Sequence, residues 1–299
     1  MKNWKKLTAA ALAALALVGA LAGCGNNADK KVATKQATKI VTDLKGREVS
    51  VPQDVKRIAV VPIPWASVIY AIDGSSERLA AIHPGAMSAY KGKFLETKDK
   101  HFAQLDTKII AQNFSVNIES AAQAGIDTAI LWQYQDKDAE KLTKVGIPTL
   151  LIYNDTVENL KKSFLIIGKL LGKEERAAKI NRYYDATNEK IIAKKAWEKT
   201  DKPTVLFLRN AKLRLQGNDN FMHEALRIGG GNNPYGQING GSEQTIAMEE
   251  VYKLNPDIIL LSNFDKFVPD DLYDNKIPGQ DWSTVKAVKT NYKKSRGQR

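Results

Sequence analysis

One short pattern occurs twice in this chain and limits its fold more than any other feature. Glu119 is followed after seven residues by Asp127-Thr-Ala-Ile-Leu, and Glu249 after seven residues by Asp257-Ile-Ile-Leu-Leu, the copies standing 130 residues apart. Each reads as a short helix, a break at Gly125 or Pro256, and a buried apolar strand, which is half of a βα unit in a parallel sheet. Two such copies with a long helical stretch between them predict two similar α/β lobes and a cleft.

The rest of the body follows that rhythm. Ile40–Val51 predicts an opening hairpin around Lys45-Gly46. Strands are expected at Ile58–Val61, Leu79–Ile82, Lys108–Ile110, Thr128–Leu131 and Thr149–Ile152, with helices at Trp65–Ile72, Ile118–Ala124 and Asp138–Val145. The strands are continuous apolar runs, as in a sheet covered on both faces. From Val157 onward apolar residues recur at helical spacing, with a break at Gly172. The second helix, Lys173 to Lys199, would be about 40 Å long at 1.5 Å per residue, long enough to run the height of a domain pair. Pro203–Leu208 restarts the strands, followed by helices near Asn220–Ile228 and Ile246–Lys253 and the strand Ile258–Leu261.

The amino terminus places the body outside the cytoplasm. Lys2, Lys5 and Lys6 precede an apolar run, Leu7 to Ala22, that is short for a membrane span and reads as a secretion signal. It ends Leu21-Ala22-Gly23-Cys24, a spacing that resembles a bacterial lipobox, and Cys24 is the only cysteine. Residues 1–23 are therefore expected to be a lipoprotein signal peptide and Cys24 the lipidation site, holding the protein to a membrane surface with its body in water. No internal disulfide is possible. Residues 24–39 are small, polar and basic and read as a flexible tether. The expected division continues with an amino-terminal lobe over 40–155, linking helices over 156–200 and a carboxyl-terminal lobe over 201–299. The net charge of +12 says little about partners, because three lysines belong to the signal and six Lys or Arg residues crowd the last fourteen positions. Nucleic acid is not expected without an aromatic-basic stacking motif; an anionic ligand or anionic lipid headgroups remain open.

Several segments in order carry a family resemblance: Thr42–Pro62 (TDLKGREVSVPQDVKRIAVVP), Asn117–Ile130 (NIESAAQAGIDTAI), Gly146–Tyr153 (GIPTLLIY), the long linking helix, Lys202–Leu208 (KPTVLFL), Met248–Phe264 (MEEVYKLNPDIILLSNF) and Asp281–Lys289 (DWSTVKAVK). Together they resemble the class III substrate-binding proteins of ABC importers, whose members bind ferric siderophores, haem, cobalamin or chelated metals. The resemblance implies an α/β fold of two Rossmann-like lobes joined by a single long helix, with ligand held between the carboxyl ends of the strands. Relative to the family, the carboxyl lobe is expected to be truncated, since the chain closes with the polar, basic Thr290–Arg299.

The loops after the strands nominate the ligand contacts. In the first lobe these are Trp65, His83, Tyr90, Trp132 and Tyr134; in the second, Arg209, Arg214, Asn263 and Phe264. Aromatic rings offer flat apolar area and a polar handle, and Arg donates bidentately to carboxylate, catecholate or hydroxamate oxygens, a mixture that suits an anionic metal chelate. The resemblance also implies that Glu119 and Glu249 dock onto arginines of the two permease subunits, although carboxylates in a first helical turn are favoured by the helix dipole in any protein. The expected partners are thus a metal chelate, an ABC permease dimer with its ATPase, and the membrane through the lipid anchor, with the chain itself a monomer and no cofactor or resident metal.

Enzyme readings have less to stand on. Gly229-Gly230-Gly231 follows a helix and reads as a helix stop, not a phosphate cradle. His83, His101 and His223 form no metal-ligand spacing, and no G-x-S-x-G elbow is present. The competing class is a lipid-anchored α/β envelope enzyme; within the family, cobalamin or haem competes with a ferric siderophore.

Overall fold

The computed structural model describes residues 37–215, 221–235, 244–262 and 267–289. The expected signal peptide, Cys24, most of the tether, Asn263, Phe264 and Thr290–Arg299 lie outside the described residues.

The chain opens with the hairpin β1 (Thr38–Thr42) and β2 (Glu48–Pro52). The buried Asp43 closes it: its carboxylate accepts from the Lys45 and Arg47 amides at 3.0 Å each and from the Leu151 amide at 3.1 Å, so one side chain holds both the turn and the neighbouring sheet. There follow β3 (Ile58–Val60), α1 (Trp65–Asp73), β4 (Leu79–Ile82), α2 (Pro84–Tyr90), α3 (Phe94–Lys98), α4 (Ile118–Gln123), β5 (Thr128–Trp132), α5 (Asp136–Lys144) and β6 (Thr149–Ile152). The four strands form a parallel sheet in the order β4-β3-β5-β6. Alternate residues feed separate cores: Ile58, Val60, Ile130 and Leu150 join one cluster, and Ala59, Ala129, Leu131 and Leu151 the other. Both faces of the sheet are buried, which is why its strands read as unbroken apolar runs.

One expected strand is corrected. Lys108–Ile110 is not a strand; Ile110 makes a single bridge to Val116. The Asp106 carboxylate accepts from the Lys108 and Ile109 amides at 2.7 and 2.8 Å, so a local turn takes the donors a ladder would need.

Two helices lead out of the lobe, α6 (Val157–Leu171) and α7 (Glu174–Ile192), separated by Gly172 in the left-handed region at φ 66°. They pack closely at Gly168, where an added Cβ would stand 2.5 Å from that of Ala177. The second helix is shorter than the 40 Å expected, about 28 Å for nineteen residues. It stops because Ile191 and Ile192 stay exposed, finding no surface to pack on, and Lys195 turns left-handed into a short 3₁₀ turn at Ala196–Glu198.

The remaining elements are β7 (Val205–Asn210), β8 (Arg214–Leu215), α8 (Phe221–Ile228), β9 (Gln244–Thr245), α9 (Met248–Leu254), β10 (Ile258–Leu261) and α10 (Pro269–Tyr273). The sheet order is β10-β7-β8-β9, parallel only between β10 and β7. Its core gathers Leu206, Leu208, Val251 and the fully buried Trp282. The expectation of a buried second-copy strand is corrected: β10 lies at the edge of the described sheet and Ile258 is 39% exposed.

The doubled pattern has a common structural core. In the first copy the Asp127 amide donates to the Arg57 carbonyl (3.0 Å) while its carboxylate accepts from the Lys56 and Arg57 amides (2.7 and 3.0 Å). In the second the Asp257 amide donates to the Thr204 carbonyl (2.9 Å) while its carboxylate accepts from the Thr204 amide (2.8 Å). Arg57 and Thr204 each stand just before the strand that pairs with the copy's own. Each aspartate therefore pins two parallel strands in register at their starting ends.

Candidate functional site

At the opposite, carboxyl ends of the first sheet the strands deliver aromatic rings to one place. Trp132 ends β5, Tyr134 follows two residues on, and Tyr153 directly follows β6. The Trp132 and Tyr134 rings are nearly parallel (13°, centroids 6.3 Å apart), and Tyr153 stands perpendicular to both, at 5.7 and 6.0 Å. The backbone beneath them is fixed from inside. Gln135 Oε1 accepts from the Trp132 amide at 3.1 Å, and Ser163 Oγ donates to the Tyr153 carbonyl at 2.9 Å. Tyr134 is 62% exposed, so this aromatic corner opens to solvent. Burial, with the neighbouring Tyr153 second, raises the Tyr134 hydroxyl above its usual range, so it presents a neutral donor at physiological pH. Tyr153 was missing from the nominated residues, although the strand-end rule that selects Trp132 applies to it equally.

The other nominated residues of this lobe serve the interior. Trp65 is 1% exposed and packs edge-on against Phe164 at 5.7 Å, because it lies on the face of α1 turned to the core. His83 has no nitrogen to spare. Its Nδ1 accepts from the Gly85 amide (2.9 Å), capping α2, which leaves Nε2 to donate to the Gln112 carbonyl (3.2 Å), and the ring stacks on Phe114. Burial lowers its pKa, so it stays neutral. The Tyr90 hydroxyl accepts from the Ser67 amide and donates to the Ile63 carbonyl, tying α2 to the loop after β3.

In the second lobe, Arg209 lies half-buried in β7 and Arg214 exposed in β8, on adjoining antiparallel strands, and both hold partners within the protein. Glu119 and Glu249 are exposed in the first turns of α4 and α9. The Asn117 side chain caps α4 by accepting from the Ser120 amide at 2.9 Å; Ala247 gives α9 no such cap.

A cavity of about 460 Å³ between α6 and α7 and another of about 250 Å³ beside Trp197 and Arg227 are lined by none of the nominated ligand contacts. No group of three His, Cys, Asp or Glu side chains among the described residues could hold a metal. Ser76 Oγ lies 3.1 Å from His101 Nδ1, but Ser76 is fully buried and the nearby Asp99 carboxylate bonds the Ser76 and His101 amides, so this trio holds a turn and offers no nucleophile. No helix among the described residues is long and apolar enough to cross a membrane.

Known proteins resemble this chain in sequence and in fold. A crystal structure of a periplasmic solute binding protein from Veillonella parvula is 38% identical, with a TM-score of 0.77, covering 85% of this chain and 77% of that one. The iron-uptake system-binding protein of Bacillus subtilis is 26% identical over 296 residues, 93% of this chain and 86% of the relative. An uncharacterized ABC transporter substrate-binding lipoprotein of the same organism is 24% identical over 282 residues, 90% of this chain and 83% of the relative. The family model for periplasmic binding proteins matches residues 115–292. The chain thus belongs to the periplasmic binding protein family, the two-lobed, non-enzymatic solute-capturing components that work with an ABC permease and its ATPase outside the cytoplasm.

Proposed function

We propose that this protein captures an iron chelate of the ferric siderophore type and delivers it to its permease, anchored to the envelope by lipid on Cys24. The observation that carries the reading is the aromatic corner of Trp132, Tyr134 and Tyr153 at the carboxyl ends of β5 and β6, where open parallel sheets hold ligands. Three rings offer a chelate apolar faces and the Tyr134 hydroxyl a hydrogen bond, while Arg209 and Arg214 of the second lobe supply positive charge for its oxygens. The iron-uptake name of one relative and the lipoprotein name of another support the cargo and the anchor. The division into lobes at 40–155 and 201–299, a monomeric state and docking through Glu119 and Glu249 belong to the same reading. Haem is less well served, since His83 uses both nitrogens internally.

Titration of the purified protein with ferric siderophores, haem, cobalamin and molybdate, followed by tryptophan fluorescence, tests the cargo. A saturable change with a ferric siderophore and none with molybdate is expected. A response to none of the four ligand types would overturn the reading.

A further inference from the structure

The side chains of α7 are sorted by charge. At 100° per residue, Arg176, Lys179, Lys190 and, just past the helix end, Lys194 fall within about 60° of one another. Tyr183, 75% exposed, lies between them. The acids Glu174, Glu175, Asp185 and Glu189 occupy a separate sector, joined there by Arg182 alone among the cations of the helix.

Of the acids, Asp185 is held by the body, while Glu174, Glu175 and Glu189 are exposed. Asp185 receives Lys161 at 2.6 and 2.7 Å, and Glu174 lies close enough to Lys39 to oppose the lowering of that lysine's pKa by burial. Among the described residues none of the four cations is held in an ion pair, and Arg176 donates only to the Ala71 carbonyl, at 3.1 Å. The end of the helix adds apolar surface: Ile191 and Ile192 are 39% and 38% exposed, and the half-exposed Trp197 follows in the 3₁₀ turn.

Cations that hold no ion pair, set beside the exposed Tyr183 and Ile191, are the composition of a helix that rests on an anionic lipid interface.

We propose that α7 lies along an anionic phospholipid surface, its lysines near the headgroups and Ile191 and Trp197 at the acyl boundary, holding the body on its side against the membrane. This contact is independent of acylation and of the identity of the ligand.

The test uses the full chain carrying Cys24→Ala, with co-sedimentation on phosphatidylglycerol-containing vesicles and on pure phosphatidylcholine vesicles; the amino-terminal segment is common to every sample. The parent should bind the anionic vesicles at least about tenfold better than the neutral ones, with the preference shrinking as salt rises. Lys179→Glu/Lys190→Glu/Lys194→Glu should abolish the preference, and Trp197→Ser should weaken binding to anionic vesicles severalfold with its salt dependence intact. All three positions of the charge variant are exposed, and unchanged far-ultraviolet dichroism excludes misfolding. Equal binding of the parent to both vesicle types, or an undiminished preference in the folded triple variant, would overturn the proposal.

Discussion

The two copies of the Glu-to-Asp pattern are built alike and bear different loads. In the first, β5 lies between β3 and β6 with both faces buried, α4 is capped by Asn117, and Asp127 receives two backbone amides. In the second, β10 lies at the edge of the described sheet, α9 lacks a side-chain cap, and Asp257 receives one amide and, at 2.5 Å, the Lys286 ammonium. The shared part is the aspartate that registers two parallel strands. The difference shows that one local motif can sit within a finished sheet or at an open edge, because the motif specifies only its own pairing and burial comes from neighbours.

Matched substitutions probe that contrast. The largest effect is expected at Leu131 and its counterpart Leu261: Leu131 is fully buried, so Leu131→Ala should cost about 3 kcal/mol, whereas half-exposed Leu261→Ala should cost about 1 kcal/mol. Equal losses in denaturant unfolding would break the comparison. Next come the aspartates, with Asp127→Ala expected to cost about 2 kcal/mol and Asp257→Ala about 1 kcal/mol, reflecting two amides left unpaired against one. The smallest concerns the caps: Asn117→Ala should lose about 1 kcal/mol, and Ala247→Ser should gain up to about 1 kcal/mol if the missing cap is the only local difference between α4 and α9. Stability of each variant relative to the parent checks the sign.

Much of the first lobe was legible because its strands are buried on both faces, and continuous apolar runs such as Thr149–Ile152 have no other explanation at that length. Gly172 was legible as a helix stop for a stereochemical reason. Lys108–Ile110 has similar apolar content but lost its strand to the Asp106 side chain, a competition that hydropathy does not record. The long helix was overextended because Lys-rich sequence keeps helical propensity past the point where Ile191 and Ile192 have anything to pack on. At the site, position along the strands located the carboxyl ends but not the direction of each side chain. Trp65 and Trp132 both stand at such ends, yet Trp65 turns into the core and Trp132 joins Tyr134 and Tyr153. Which way a ring turns depends on the element that follows, and a helix facing the core draws its first residue inward.

The proposed function is capture of an iron chelate and its transfer to a permease docked through Glu119 and Glu249. Uptake of radiolabelled ferric siderophore by cells lacking this gene, complemented with the parent or with Glu119→Arg/Glu249→Arg, tests it most directly. The account predicts that the parent restores uptake, and that the double variant does not although the purified variant binds the chelate with the parent's affinity. Uptake that is unaffected by loss of the gene, or fully restored by the double variant, would contradict it.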